Sequence, residues 1–394
     1  MNNQHRTLLV LGGVALIMTI GIVFVALDQK PAAQYAKEFM AKCAGVDATT
    51  TSCLVSMVGN LAIEKGTGTA FRVVRELYPD FPQKNESCFD FANLVGEYVA
   101  DTQPNYRSIK LEPESVFCNY GFYQSYARKF LLNSRDTKKA QDLCAYVLQS
   151  LGSVSSGVAE ECYRGVGNAL PFIQPDIQGD PVAISKYAIR MCEALAPEGE
   201  QRGACLSGLF SRIGLSEQKG LYGLSVDAND PLSLCHQQPQ EYFFRCEGNY
   251  KRSIVGSRVP HDLTKALDEL EAKYPDLDPD DINAIAYTVG YDSVAASVPR
   301  PNFETLAHSC LSQAEPIQGQ CISGTAVGLA KNGIPGQQDT QVLQFCNVVA
   351  QEKGEQSPLC PSDVALLYMR GFFTSEKFSS ICKEFGLSTG LCAK

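Results

Sequence analysis

The cysteines constrain the fold of this chain more than any other feature. There are sixteen of them, and in chain order they form eight successive couples, six of which are separated by only 10 to 14 positions. The longer intervals between couples leave room for two antiparallel helices and a turn. The couples are Cys43/Cys53, Cys88/Cys118, Cys144/Cys162, Cys192/Cys205, Cys235/Cys246, Cys310/Cys321, Cys346/Cys360 and Cys382/Cys392.

The interval 162–192 shows the helical pattern in full. Tyr163, Val166 and Leu170 share one face at spacings of three and seven, which is typical of an amphipathic helix. Proline and glycine then interrupt the pattern, and Asp180 followed by proline is a typical helix start. Aspartate also marks a helix start at Asp136, Asp230 and Asp339, and of these Asp230 is again followed by proline. We therefore predict an all-α fold, an α-solenoid-like array of disulfide-stapled antiparallel helix pairs.

Two disulfide pairings are compatible with this array. In the sequential pairing, the cysteine that ends one helix pair is bonded to the cysteine that opens the next, and all sixteen cysteines are used. In the alternative, each helix pair is closed on itself, for example Cys162 with Cys192, and this leaves Cys43 and Cys392 without partners. We favour the sequential pairing, and we expect each short loop to contribute about 2–3 kcal/mol by the chain-entropy estimate.

A glycine follows the cysteine by three positions at four places in the chain. Because residues three apart share a helix face, each glycine should point toward the helix to which its cysteine is bonded. A disulfide needs Cα atoms closer together than ordinary helix packing brings them, and glycine leaves room for that approach. These glycines are Gly121, Gly165, Gly208 and Gly324.

An uncharged apolar stretch lies near the N-terminus, at residues 7–27. Twenty-one helical residues reach ~31 Å, enough for the ~30 Å core of a bilayer. A cleavable signal peptide is the alternative, but its apolar stretch would be shorter, and the cut after Ala26 would place Phe24 where a small residue is expected. We predict a short tail at 1–6, a transmembrane signal-anchor at 7–27 and a juxtamembrane segment at 28–42.

The cysteines also indicate the compartment of the body. All sixteen follow the apolar stretch, and so many thiols are unusual in a reducing cytosol. The charge rule slightly favours the opposite orientation, since Arg6 stands against Lys30, Lys37 and Lys42. We give the cysteines more weight and predict a single-pass membrane protein whose C-terminal body lies in the periplasm or extracellular space.

A longer duplication divides the body into two halves. Residues 76–100 resemble residues 272–295 in a Tyr-Pro-Asp triplet, an alanine and a glycine. Residues 118–144 resemble residues 321–346 in their paired cysteines, the glycine and an Asp-Thr helix start. The predicted halves are residues 43–255 and the shorter 256–394.

The repeated, cysteine-stapled helix pairs resemble the secreted, cysteine-rich, tetratricopeptide-like repeat proteins of bacteria. The resemblance covers most of residues 40–394 and implies an extracytoplasmic helical repeat, although the aromatic and alanine signatures of those repeats are missing. A fainter resemblance is to prokaryotic helical proteins with a Cys-His-x-x-Ala-His-x-x-Gly segment followed by Cys-x-x-Gly-x-Tyr-His-Gly. The matching residues are Cys88, Ala92, Gly96, Cys118, Gly121 and Tyr123, and the histidine positions hold Phe89, Asn93 and Gln124. Any metal site of those proteins would therefore not carry over.

Metal sites have weak support in the sequence. His236 and His308 stand beside cysteines, which is compatible with zinc, but no CxxC pair is present and the cysteines already have partners. We expect surface or capped histidines, His261 included. The run "YPDLDPDDIN" resembles a calcium loop but lacks its central glycine and final glutamate, so a turn before a helix is the simpler interpretation. The calcium question stays open for Asp276, Asp278, Asp280 and Asp281.

Motifs for catalysis and for nucleic-acid binding are missing as well. The chain has no GxSxG, phosphate-loop or HExxH motif, and an even cysteine count argues against a free catalytic thiol. Its net charge is −9 with no basic stripe, which argues against nucleic acid as a partner. We expect no enzyme activity and no cofactor.

The aromatic segment "VFCNYGFYQSYARKF" is the best candidate for a binding surface. One interpretation is a central helix that is buried on several sides. The other is a groove for a peptide or glycan, and the absence of tryptophan weakens the glycan version. The candidate surface residues are Tyr120, Tyr123, Tyr126 and Arg128.

Such arrays commonly bind other proteins on an extended surface. We therefore expect a membrane-anchored interaction scaffold for a protein or peptide partner, without catalysis. The alternative is an envelope enzyme, or a small-ligand or glycan-binding protein, with its site between the two halves.

Overall fold

The computed structural model describes residues 31–44, 50–80, 87–153, 155, 157–174, 179–196, 199–225, 227, 232–255, 264–265, 267–268, 272, 279–297, 300–334, 336–354 and 375–384. Within these residues the chain forms sixteen α-helices and no β-strand, which confirms the predicted all-α fold. The helices are α1 (Ala32–Cys43), α2 (Thr50–Lys65), α3 (Thr67–Leu77), α4 (Cys88–Thr102), α5 (Gly121–Ser134), α6 (Thr137–Leu151), α7 (Gly157–Ile173), α8 (Pro181–Leu195), α9 (Gly199–Gln218), α10 (Ser233–His236), α11 (Gln240–Val255), α12 (Pro279–Ser297), α13 (Phe303–Leu311), α14 (Ile317–Asn332), α15 (Gln338–Lys353) and α16 (Ser375–Glu384).

Most of the helices lie in two layers. An inner row runs through α4, α5, α7, α9 and α11, and continues through α12 and α14, each helix packing on the next. An outer row consists of α6, α8, α10, α13 and α15, which pack on the inner helices beside them. Chain direction alternates between the rows, so that an outer helix connects one inner helix to the next at most steps.

Burial differs between the two rows as this arrangement requires. In α9 eight consecutive residues, Gly203 to Phe210, are buried, because inner helices flank it on both sides and outer helices cover it. In the outer helix α8 the buried residues include Ile184, Ala188 and Cys192, which form a single stripe at spacings of four. Asp180 begins this helix by accepting hydrogen bonds from the backbone N–H groups of residues 182 and 183.

Six disulfide bonds follow the sequential pairing. They join Cys43–Cys53, Cys88–Cys118, Cys144–Cys162, Cys192–Cys205, Cys235–Cys246 and Cys310–Cys321, with Cα atoms 5.0 to 5.8 Å apart. The last four each connect an outer helix to the inner helix that follows it. Cys346 and Cys382 are also disulfide-bonded, whereas Cys360 and Cys392 lie outside the described residues. No cysteine in the described part of the chain has a free thiol.

The four glycines that follow cysteines do lie at very close helix contacts. A Cβ atom at Gly165 or Gly208 would come within 3.0 Å of a backbone carbonyl oxygen, a separation that real Cβ atoms essentially never show. The same holds for Gly324, and at Gly121 the distance to the carbonyl oxygen of Phe89 would be 2.6 Å.

Three of these glycines contact the preceding inner helix and not the predicted one, the helix to which the neighbouring cysteine is bonded. Gly165 faces the carbonyl of Gln124 in α5, although its neighbour Cys162 is bonded to the outer helix α6. Gly208 likewise faces Arg164 in α7, not the disulfide-bonded helix α8. The reason is that a position three residues on is turned by about 60° around the helix, which takes the glycine away from the disulfide-bonded outer helix and toward the preceding inner helix. Only Gly121 faces the helix to which its cysteine is bonded.

The inner row turns back on itself. Its last described member, α14, contacts α4, the helix at the opposite end of the row. Beside that contact, the guanidinium Nη2 of Arg300 donates to the carbonyl oxygen of Pro79 at 3.5 Å. Gly336 also lies close to the Arg75 side chain. The two predicted halves of the body therefore touch at both of their ends.

Several predictions fall on residues outside the described ranges. The signal-anchor at 7–27 and the tail before it are among them, and the boundary between the halves falls where α11 ends and residues 256–263 begin. Of the helices that are described, none combines the length and the apolar character needed to cross a bilayer.

Candidate functional site

The three candidate tyrosines, of which Tyr120 immediately precedes α5 and the other two lie within it, are in the core and not on a binding surface. Tyr120, Tyr123 and Tyr126 are each at most 3% exposed, because α5 is an inner helix held between α4 and α7. Their hydroxyls are used internally: Tyr120 bonds to Ser155 at 2.5 Å, and Tyr123 bonds to Ser115. Burial raises the pKa of all three phenols. The groove interpretation is therefore wrong for these tyrosines, and the interpretation as a buried central helix is correct.

Arg128, the fourth candidate, does reach the surface. Its side chain is 24% exposed and its Nη2 donates to the carboxylate of Glu97 in α4. Desolvation lowers the pKa of this guanidinium to about 10, and the positive charge of Arg212 contributes to the same shift. The phenol of Tyr222 acts in the opposite direction. Arg128 is thus electrostatically coupled to residues of α9 and of the segment that follows it.

Arg212 lies in the last third of α9 and is held by an aromatic ring. Its guanidinium carbon is 5.3 Å from the centroid of the Phe172 ring in α7. In the part of the chain that the structure describes, no carboxylate lies within ion-pair distance of Arg212, and its buried Nε has no hydrogen-bond partner. This arginine therefore carries a positive charge that no described carboxylate compensates.

An exposed pair of apolar side chains follows α9. Leu221 and Tyr222 are 39% and 46% exposed, and the Tyr222 ring packs against Phe172 with centroids 4.3 Å apart and ring planes tilted by 30°. Tyr222 adopts φ 58° and ψ 26°, a left-handed conformation that costs a non-glycine residue about 1 kcal/mol or more. Gly220 and Gly223 flank the pair and are left-handed as well. The backbone thus projects a leucine and a tyrosine from a tight, strained turn.

These residues form one surface, which we call the aromatic–arginine patch. It consists of Arg128, Phe172, Arg212, Leu221 and Tyr222. The glycine contacts explain why they converge: α5, α7 and α9 are parallel and are locked in register at Gly165 and Gly208. Arg128 and Arg212 lie one turn beyond the contacting residues, and Phe172 lies two turns beyond. The C-terminal halves of three inner helices thus meet at one edge of the array.

Apart from the aromatic–arginine patch, a polar cleft lies beside α13. Its volume is about 630 Å³, and its lining comes from Thr264, Glu304, Thr305, His308, Ser309, Ser312 and Glu352. These side chains are mostly exposed, and no group of three or more His, Cys, Asp or Glu side chains among the described residues is arranged to hold a metal ion.

Of the residues considered as metal ligands, His236 has its ring stacked on Phe243. His261, Asp276 and Asp278 lie outside the described residues, as do the side chains of Asp280 and Asp281.

Comparison with known proteins gave no match, either to a protein-family model, to a curated protein or to a solved structure.

Sequence reasoning missed four of the five residues of the aromatic–arginine patch. Phe172, Arg212 and Tyr222 come from three separate segments, and no local pattern connects them. The one signal that could have found part of the site is "KGLYGLS", where two large apolar residues stand between glycines. Paired glycines indicate a tight turn, and a leucine and tyrosine at the tip of such a turn have little chance of burial.

Proposed function

We propose that this protein is a membrane-anchored, extracytoplasmic helical-repeat scaffold that binds a protein or peptide partner and has no catalytic role. The observation that carries the proposal is the turn that projects Leu221 and Tyr222 beside Arg212, whose charge no carboxylate among the described residues compensates. Residues 7–27 would provide the anchor, and the disulfide bonds support an oxidising compartment. The likeness to secreted, cysteine-rich, tetratricopeptide-like repeats belongs to the same proposal.

The composition of the aromatic–arginine patch supports a protein partner. Tyrosine, phenylalanine and arginine are enriched at protein interfaces, and tyrosine and arginine are over-represented among the residues that dominate binding energy. Tyr222 already packs against the Phe172 ring, with the ring centroids 4.3 Å apart. A side chain that is packed before binding loses less conformational entropy when a partner binds. Local backbone strain is commonly retained where it serves a function.

The alternative is an envelope enzyme, or a small-ligand or glycan-binding protein. The cleft lined by Glu304, His308 and Glu352 is the described feature that such a function would use. It lies within residues 256–394 and not between the halves, and its lining is exposed and polar. Small-molecule sites are usually enclosed and mainly apolar, so this cleft supports the alternative less well than the aromatic–arginine patch supports a scaffold.

Site-specific photo-crosslinking in intact cells tests the proposed function. The photoreactive residue p-benzoylphenylalanine would replace Leu221 in the full chain, and in a second variant Leu148. Both leucines are 39% exposed, but Leu148 lies on the outer helix α6, away from the patch. We expect a discrete covalent adduct with one partner protein from position 221 and none from position 148. No adduct from 221, or the same set of adducts from both positions, would overturn the proposal.

A further inference from the structure

We propose that the aromatic–arginine patch recognises an acidic peptide segment of the partner, whose carboxylates are bound by Arg212 and Arg128. The inference rests on the proposed function and specifies the chemistry of the partner. It makes Arg212 the principal specificity-determining residue of the patch.

The charge of Arg212 favours an anionic ligand. A cation–π contact with Phe172 fixes the plane of the guanidinium but does not neutralise it. No described carboxylate lies within ion-pair distance, although the chain as a whole carries an excess of acidic residues and a net charge of −9. A guanidinium held in this way presents its donors in a fixed geometry, which suits a carboxylate that arrives from outside.

Two guanidinium groups belong to the patch, and this also favours an anionic ligand. Arg128 and Arg212 repel one another strongly enough to contribute to the lowered pKa of Arg128, while only one carboxylate, that of Glu97, is bonded to Arg128. Two positive charges therefore share a single described counter-charge. A second carboxylate, brought by a partner, would relieve the repulsion and complete the pairing.

The apolar neighbours of the arginines favour a peptide over an isolated anion. The arginines lie next to Leu221 and Tyr222, which offer apolar and aromatic area to the same ligand. An inorganic anion would use the charges and leave that area exposed. A peptide with glutamates beside an aromatic residue would use both, since each arginine can bind a carboxylate while the aromatic side chain packs on Tyr222.

Fluorescence anisotropy with the full-length protein in detergent micelles tests this inference. The probe is a fluorescein-labelled Glu-Glu-Tyr-Glu-Glu peptide, and its comparison is the Lys-Lys-Tyr-Lys-Lys peptide. We expect saturable binding of the glutamate peptide alone, weakened by added salt. Arg212→Gln should reduce its affinity ~10-fold or more, because a charge-assisted hydrogen bond is lost. Arg212→Lys should retain part of it.

The matched control is Arg107→Gln. Arg107 also lies over aromatic rings, those of Tyr106 and Tyr146, but it is outside the patch, so its loss should leave binding unchanged. Unchanged circular dichroism melting of both variants would show that they are folded. Equal binding of the two peptides, equal effects of the two glutamine variants, or full competition by inorganic phosphate or by phosphatidylglycerol vesicles would overturn the inference. If the inference fails in one of these ways while the photo-crosslink from position 221 is still formed, the patch binds a partner that is not an acidic peptide. If that cross-link is missing as well, the proposed function also fails.

Discussion

At the residue scale, the inner helices are held together by reciprocal glycine contacts. In α7 and α9, Gly167 faces the carbonyl of Cys205 while Gly208 faces the carbonyl of Arg164, so each helix offers a glycine and a carbonyl three residues apart. The pair α12 and α14 repeats the arrangement with Gly290, Cys321, Gly324 and Tyr287. Close approach of this kind allows Cα–H groups to contact carbonyl oxygens across the two helices. The cysteine and the glycine of each motif thus serve two different neighbours.

Replacing Gly208 by alanine should therefore destabilise the fold. The added methyl group would come within 3.0 Å of the Arg164 carbonyl, and because that atom belongs to a helix backbone, one helix must shift. We expect a loss of about 1–3 kcal/mol in the free energy of unfolding, measured by denaturant titration. Gly248→Ala is the control. Gly248 lies inside α11, and a Cβ atom added there would have no atom of a neighbouring helix within 4 Å, so the same change should stabilise the fold by up to about 1 kcal/mol. If both variants changed the free energy of unfolding in the same direction, the close helix contact at Gly208 would not be what requires a glycine there.

Glu217, near the end of α9, should make stability depend on pH. Its side chain is 5% exposed, its Oε2 has no hydrogen-bond partner in the described structure, and desolvation raises its pKa to about 8 from an ordinary 4.5. The folded state therefore binds the proton more tightly than the unfolded state does, and stability falls as pH rises from about 5 to about 8. Glu217→Gln cannot ionise. It should gain stability over the wild type across that window, by about 2–4 kcal/mol at pH 8, in melts recorded at several pH values. A difference that is independent of pH would show that the carboxylate ionises normally.

At the element scale, four of the six disulfides fix an outer helix to the inner helix that follows it. Cys192 and Cys205 join α8 to α9 across 13 residues, and both are fully buried. Replacing both by serine should lower the free energy of unfolding by about 3 kcal/mol from loop entropy, with a further loss from burying two hydroxyls. Denaturant titration of the oxidised proteins measures this difference. An unchanged midpoint would mean that helix packing alone orders this pair of helices.

The helices were predictable where local signals decide, and the contacts between them were not. Asp136 and Asp180 begin helices as predicted, because each side chain accepts hydrogen bonds from the first turn. Asp339 does not: α15 begins at Gln338, and Asp339 is buried in its first turn. The spacing of the cysteines predicted six bonds correctly, since a short loop leaves few alternatives. Which neighbour a glycine faces depends on the angle between two rows of helices, and no single segment encodes that angle.

At the scale of the whole molecule, the same limit explains why the sequence did not predict the contact between the ends of the inner row. The stapled pairs specify how each helix meets the next, and small rotations at every step add up over the array. Only their sum decides whether α14 returns to α4. The aromatic–arginine patch also depends on the rotations between successive helices, but over fewer of them, since it needs only three consecutive inner helices in register. Local order thus follows from signals within each segment, whereas long-range order depends on contacts that no single segment encodes.

The contact between the ends of the row can be tested within one chain. Placing p-benzoylphenylalanine at Arg300 should yield an intramolecular cross-link to the segment around Pro79, because the two positions touch in the closed array. The same replacement at Arg107 should instead react with α6, where Tyr146 lies beside it. Mass spectrometry of the digested protein distinguishes the two products. An array that does not turn back would give the second cross-link without the first, since more than two hundred residues separate Arg300 from Pro79 along the chain.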